Sequence, residues 1–178
     1  MNYITTLKDK DIFKEPGFET PESFEKRVTV KAIVQNDEGK FGFVTNPVHN
    51  FFLLAGGGAE SEDLGKEIIR ECDEEINFEV EVIKETGRIQ EFRNRSKKEY
   101  ETVCFLVKTI KETNEDTRTE DEKKNELNVV WFEKDEILKI LKEQEEKVKN
   151  GEVEFYNTAF NIIRDKIFFE EYLKDTNN

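Results

Sequence analysis

Histidine occurs once in the 178 residues, at His49. Ser-His-Asp or Cys-His chemistry would therefore hang entirely on that residue, which sits in the loop-like stretch Asn46-Pro47-Val48-His49-Asn50. Cysteine is almost as scarce. Cys72 and Cys104 are isolated, with no CxxC and no neighbouring histidine, so zinc ligation is disfavoured and two reduced thiols serving as small core residues are expected. No apolar run approaches the ~20 residues of a membrane-spanning helix, and Met1-Asn2-Tyr3-Ile4 does not open a signal peptide. The expectation is a soluble, cytoplasmic protein with no membrane partner. Positive charge is in deficit as well: 28 Lys and Arg against 41 Asp and Glu leave a net charge of −13. Affinity for nucleic acid comes mainly from Lys and Arg, so no nucleic-acid binding is expected. A small phosphorylated ligand is not excluded, because a bound metal can neutralise its charge.

Charged residues make up 39% of the chain and hydrophobic ones 35%. With one Met and one Trp, much of the core must come from the 15 phenylalanines and the Ile/Val runs. The length suits one domain. Residues 1–26 are polar and hold Pro16 and Pro21, two of the three prolines; they read as an irregular N-terminal arm ahead of a domain over 27–178. Residues 27–35, rich in β-branched side chains, read as a buried strand. Asn36-Asp37-Glu38-Gly39 is a hairpin turn into a second strand over 40–44, and Phe51-Phe52-Leu53-Leu54 is a third, ended by Gly56-Gly57-Gly58.

The periodicity then changes. Residues 62–76 predict a helix, with Ser61 or Asp63 as N-cap. Ile68, Ile69, Cys72 and Ile76 share an arc of about 100°, and Glu67, Glu71, Glu74 and Glu75 share the adjacent arc. Strands are expected at 78–83, 87–93 and 100–109, a charged loop next, a strand over 127–132, and helices near 134–148 and 155–173. Helices on both sides of a mixed sheet make an α/β sandwich.

Four carboxylates on one helical stripe repel one another. A solvated acidic face, ion pairing (Arg70 stands i,i+4 from Glu74, and Lys66 is adjacent) and a hard divalent cation all answer that repulsion. The helix alone does not decide among them. The glycine triplet ahead of it permits close backbone approach to a ligand, and a helix N-terminus favours negative charge, so loop and stripe together look like a phosphate–metal site.

Here the sequence resembles the Nudix hydrolase family, the MutT-like pyrophosphohydrolases. The family box reads G, five residues, E, seven residues, then R-E-U-x-E-E-x-G-U, with U a bulky aliphatic residue. This chain has Gly56, five residues, Glu62, seven residues, then Arg70-Glu71-Cys72-Asp73-Glu74-Glu75-Ile76-Asn77-Phe78. Cys72 replaces an aliphatic residue, Asn77 replaces the final glycine, and the usual proline before the glycines is missing. The resemblance spans residues 27–148, including a late strand near Glu126…Trp131, and implies a Nudix-like α/β/α sandwich with a mixed β-sheet. It implies that Glu71, Glu74 and Glu75 hold Mg2+ or Mn2+, with Glu62 either a further ligand or a partner of Arg70. Arg70 would orient a box glutamate. Gly56, Gly57 and Gly58 would form the loop facing substrate phosphate. The general base would be a box glutamate or a later carboxylate such as Glu126, with Glu120 and Glu122 read as part of a flexible acidic loop.

The implied reaction is metal-dependent cleavage of the phosphoanhydride in a nucleoside diphosphate linked to another group. Its rival is a Nudix-fold module that senses a nucleotide without turnover; an acidic interaction protein with an accidental box is a poorer third. Which small nucleotide-type substrate is used is not legible. Phe41, Phe43, Phe51, Phe92, Phe105 and Phe155 are available to stack on a base, but a phenylalanine is more often core. The arm is also placed to exchange between the subunits of a homodimer.

Overall fold

A strand covered on both faces reads as an apolar run rather than an alternation, and the stretch after residue 27 follows that rule only at Ala32-Ile33-Val34, after the alternation Val28-Thr29-Val30-Lys31. The computed structural model describes residues 3–15, 17–45, 50–113 and 128–176. Its elements are β1 (Thr5–Lys8), α1 (Asp9–Ile12), β2 (Glu25–Gln35), β3 (Phe41–Thr45), β4 (Phe52–Leu53), α2 (Leu64–Ile76), β5 (Phe78–Arg93), β6 (Lys98–Glu112), β7 (Asn128–Phe132), α3 (Lys134–Lys149) and α4 (Tyr156–Thr176). In β2, Val30, Ala32 and Val34 face one way and Ile33 the other, and none of the four is more than 1% exposed.

β2 is the hinge of the sheet. On one edge it runs parallel to β6 from Glu25↔Lys98 to Gln35↔Lys108. On the other it meets β3 only at Val34↔Gly42 and Gln35↔Phe41. β3 then carries on with β4 at Val44↔Leu53 and Thr45↔Phe52, while β7 takes its opposite edge. The abandoned half of β2 pairs with the glycine segment instead, through Ala32↔Ala55 and Thr29↔Gly58. Sheet order is β1-β5-β6-β2-β3-β4, with β7 on β3.

Each face of this mixed sheet has its own core. Ile68, Cys72 and Ile76 of α2 pack on Val30, Ala32, Val34, Val103 and Val107. Ile33, Ile89, Cys104 and Leu106 lie under α3 and α4, which contribute Leu141, Phe160, Phe168 and Phe169. The result is an α/β/α sandwich. Phenylalanine supplies the second core as composition requires: Phe169 meets Phe41 and Phe43 edge-on at 5.0 and 5.5 Å. Both cysteines are buried and free. Burial pushes the Cys104 thiol up to about 12 and raises that of Cys72 as well, so both stay protonated and inert.

Two expectations need correction. The strands expected at 78–83 and 87–93 are one continuous β5, which absorbs its irregular middle with register shifts at Glu79/Val80, Val82/Lys84 and Glu85/Gly87. Residues 5–12, expected as irregular lead-in, extend the structure. β1 adds to β5 in parallel from Thr5↔Ile89 to Lys8↔Phe92, and Leu7 and Ile12 are each 5% exposed. A four-residue strand burying one leucine carries too little alternation to be read from sequence. Among the described residues, no helix is long and apolar enough to cross a membrane.

Candidate active site

The carboxylate-bearing helix begins and ends by local chemistry. Of the two expected caps, Asp63 serves: its Oδ1 accepts the Lys66 N–H at 3.2 Å. Ser61 donates its hydroxyl to Glu67 Oε1 at 2.7 Å instead. At the other end Asn77 takes the left-handed conformation (φ 57°, ψ 39°) and donates its N–H to Asp73 O, doing the work of the missing glycine. Ile68, Cys72 and Ile76 are buried, whereas Ile69, grouped with them by helical angle, is 38% exposed.

The glycine segment lies against this helix. Gly56 has φ +126°, and a Cβ there would stand 2.2 Å from Val30 O, so only glycine passes. Its N–H donates to Glu75 Oε2 at 2.6 Å. At Gly57 a Cβ would fall 2.6 Å from Glu71 Oε2, so the bare backbone is what leaves room for that carboxylate. Beneath the segment, Lys31 of β2 donates to Leu54 O at 3.0 Å and to Gly56 O.

Arg70 gathers the stripe. Its Nη2 donates to Glu71 Oε1 at 2.6 Å, Glu67 Oε2 at 3.0 Å and Gly58 O at 3.3 Å, and its Nη1 to Glu74 Oε2 at 2.7 Å. In this structure ion pairing therefore answers the repulsion. Arg70 turns to Glu71 and Glu74 of the box and to Glu67 outside it, while Glu62 stands exposed on the wall of the adjoining cleft. Mutual repulsion suggests raised carboxyl pKa values along the stripe, and the Glu71 carboxyl is raised. There burial is the main cause, with Arg70 and Lys31 opposing it. Glu67 goes the other way, to about 2, held by the Ser61 hydroxyl first, then by a Glu60 backbone group and by Arg70.

Among the described residues no three acidic, His or Cys side chains form a ready cation cage. A guanidinium instead occupies the point where Glu67, Glu71, Glu74 and the Gly58 carbonyl converge. The donors around it are all oxygens, which suits a hard divalent ion, and Gly57 keeps that side free of carbon. The residues fit such an ion, on condition that Arg70 swings away.

A cleft of about 790 Å³ opens beside the segment, lined by Lys26, Arg27, Gly58, Glu62, Lys98 and Tyr100 among others. Three cations, Lys26, Arg27 and Lys98, share its lining with Glu60, Glu62 and Glu101, so its formal charges cancel. The sequence concealed them, because Lys26 and Arg27 meet Lys98 and Tyr100 only through the long-range β2–β6 register. Lys31 was missed for a related reason: nothing local distinguishes it from any strand lysine. None of the six candidate phenylalanines lines this cleft; Phe41, Phe43 and Phe105 are core, and Phe155 is 48% exposed elsewhere. Glu120, Glu122, Glu126 and His49 lie outside the described residues.

The family model for the NUDIX domain matches residues 25–154. The fold is similar to that of a NUDIX hydrolase from Nitrosomonas europaea, with TM-score 0.53 and 19% identity over 79% of this chain and 88% of that one. It is similar also to a MutT protein from Methanosarcina mazei Go1, with TM-score 0.54 and 17% identity over 89% of this chain and 100% of that one. No curated protein matches the sequence.

Proposed function

This chain belongs to the NUDIX domain family and is a Nudix-type pyrophosphohydrolase, and we propose that it cleaves the phosphoanhydride of a nucleoside diphosphate joined to a second group, with Mg2+ or Mn2+ held by Glu71, Glu74 and Glu75. One observation carries the reading: Glu71, Glu74 and a loop carbonyl converge on a single cationic group at the edge of an open cleft. A bound divalent ion would supply charge neutralisation at the bridging phosphates and acidify an attacking water. The chain's own groups do the rest. Glu71, Glu74 and Glu75 present oxygen donors from one helical stripe. Gly56–Gly58 lets the diphosphate approach the backbone. Lys26, Arg27 and Lys98, on the cleft lining, offer charged donors to its phosphate oxygens. Arg70, freed from Glu71 and Glu74, remains tethered to Glu67, the partner whose carboxyl stays ionised down to about pH 2.

The test is hydrolysis of a panel of ADP-ribose, nucleotide sugars, dinucleoside polyphosphates and nucleoside triphosphates, with Mg2+, Mn2+ or chelator, in 18O-water. The expected outcome is metal-dependent release of a nucleoside monophosphate and the other phosphorylated half, with label on one product phosphate. Release of free base, or of inorganic phosphate from a monoester, would overturn the reading. Tight nucleotide binding with no turnover would favour the sensor instead.

A further inference from the structure

Leu54 lies between two ladders: Leu53 still pairs with Val44 of β3, and Ala55 already bridges to Ala32 of β2. Leu54 is 0% exposed, and a backbone buried at such a crossing must find partners for both its N–H and its C=O. Both partners are charged side chains from distant elements. Asp165 of α4 accepts the Leu54 N–H through Oδ2 at 3.0 Å. Lys31 of β2 donates to Leu54 O at 3.0 Å and reaches on to Gly56 O. Hydrogen bonds with a charged partner are the stronger kind, and here they hold the two consecutive peptide groups on either side of the Leu54 Cα.

Asp165 is itself anchored. Its Oδ1 accepts Arg164 Nε at 2.8 Å, Arg164 reaches Glu91 Oε2 at 3.4 Å, and Glu91 Oε1 accepts Arg93 Nη2 at 2.9 Å. These two acids and two guanidiniums are each 3% exposed or less, so the formal charges balance inside the sheet–α4 interface. Gln144 of α3 treats the neighbouring strand residue alike, accepting the Phe52 N–H at 2.7 Å and donating to Phe52 O at 3.0 Å.

We propose that Lys31 and Asp165 clamp the backbone of Leu54 so as to set the Gly56–Gly58 turn against Glu75 and Glu71, and are thereby positioning residues for hydrolysis. The inference rests on the function proposed above. Its mechanical link is short. Two residues past the clamp, Gly56 donates to Glu75, and Gly57 lies so close to Glu71 that a Cβ there would fall 2.6 Å from its Oε2. A displacement of about 1 Å in the turn would therefore move two of the three proposed ligands, and errors of that size cost an active site heavily. Asp165 also falls beyond residue 154, where the match to the NUDIX domain ends. The clamp thus makes the geometry of the site depend on a helix outside the matched segment.

The experiment compares wild type with Lys31→Met, Asp165→Asn and the double variant. Asp165→Asn keeps an acceptor for Leu54 and avoids an empty space beside Arg164. Four quantities are read: amide hydrogen exchange over 52–60 against 98–112, Mn2+ affinity from the resonance of free Mn2+, and kcat and KM on the best substrate of the panel. Lys31→Met should speed exchange in 54–58 by about tenfold or more with 98–112 unchanged. It should also weaken Mn2+ binding about fivefold and lower kcat about tenfold, with KM changed less than about threefold. Asp165→Asn should give a smaller version of each effect, and the double variant should be no worse than Lys31→Met, since both act on the backbone of one residue. Exchange that is unchanged at 54–58, or that rises equally at 98–112, overturns the clamp. Local opening with Mn2+ affinity and kcat intact overturns its role in positioning. If Lys31→Met does not fold, Lys31→Arg and Asp165→Asn decide by the same criteria. If wild type neither binds Mn2+ nor turns over any substrate, the proposed function falls with the positioning role, and hydrogen exchange alone decides whether the clamp exists.

Discussion

Glu67 and Glu71 stand one turn apart on α2, both nearly closed to solvent, yet their carboxyls are shifted in opposite directions. The lowered Glu67 contributes stability that is fully present above its ordinary value near 4.5 and lost as pH falls toward about 2. Chemical denaturation of Glu67→Gln should therefore show a flatter acid limb between those values; an acid limb identical to wild type would discount the Ser61 and Arg70 contacts. Glu71, raised by burial, binds its proton more tightly folded than unfolded. Its effect has the reverse sign, so metal-free stability declines as pH climbs through the raised value, and Glu71→Gln in chelator should remove that decline. Glu74 is bonded to Arg70 in a partly exposed pair, with a side chain 26% exposed, so Glu74→Gln should change metal-free stability by less than about 1 kcal/mol. Its kcat should nevertheless fall roughly 10²-fold, about 3 kcal/mol of transition-state stabilisation. Steady-state kinetics beside a chelated melt separates the two effects, and a catalytic loss no larger than the stability loss would remove Glu74 from the ligand set.

At the scale of the element, α2 and its leading turn respond differently at adjacent positions. Gly56→Ala would push a methyl into Val30 O and should destabilise the whole fold, whereas Gly57→Ala meets only the Glu71 carboxylate. Gly57→Ala should therefore keep most of its Tm and lose kcat about tenfold or more, read by melt and assay together. Asn77→Gly relieves a left-handed residue and removes a side-chain oxygen that is buried without a partner among the described residues. It should stabilise by about 1 kcal/mol, or roughly 2–4 °C in Tm. The helix was legible because its signals are local: a period near 3.6, an aspartate at the start and an asparagine at the end. Arg70 was legible in part, since its Glu74 partner lies at i,i+4. What stayed hidden is what depends on register. The long β5 conceals its continuity behind bulges. Asp165 reaches Leu54 across 111 positions, and nothing in the residues around it announces a backbone acceptor. The wall of the cleft that joins Lys26 and Arg27 to Lys98 and Tyr100 is assembled only when β2 and β6 align.

For the whole molecule, a site that binds a cation only when folded links its melt to metal. At about 100 times Kd the gain is roughly 2.7 kcal/mol, or a Tm rise of about 5–11 °C for a chain of this size. The rise should be larger at pH 8 than at pH 5, because protons compete for the same oxygens. A melt indifferent to Mg2+ and Mn2+ at tens of millimolar would remove the ion from the site. The boundary of the family match is not the boundary of the cooperative unit. α4 contributes Phe160, Ile162, Phe168 and Phe169, each 1% exposed or less, worth about 6–12 kcal/mol together at typical values per side chain. That is comparable with the whole stability of an ordinary domain. A chain ending at residue 154 should therefore show no cooperative transition by circular dichroism.

The parallel pairing of β2 with β6 also governs how the protein is born. Thr29 and Thr102, in contact at 2.7 Å, are 73 positions apart, so the ribosome releases β2 long before its neighbour exists. Until Lys98–Glu112 emerges, β2 leaves Val30, Ala32, Ile33 and Val34 uncovered and its longer edge open. Refolding from denaturant should accordingly be slow for the chain length, and yield should fall as concentration rises. In the cell, the residues that become the centre of the sheet are those most exposed to a wrong partner while the chain is being made.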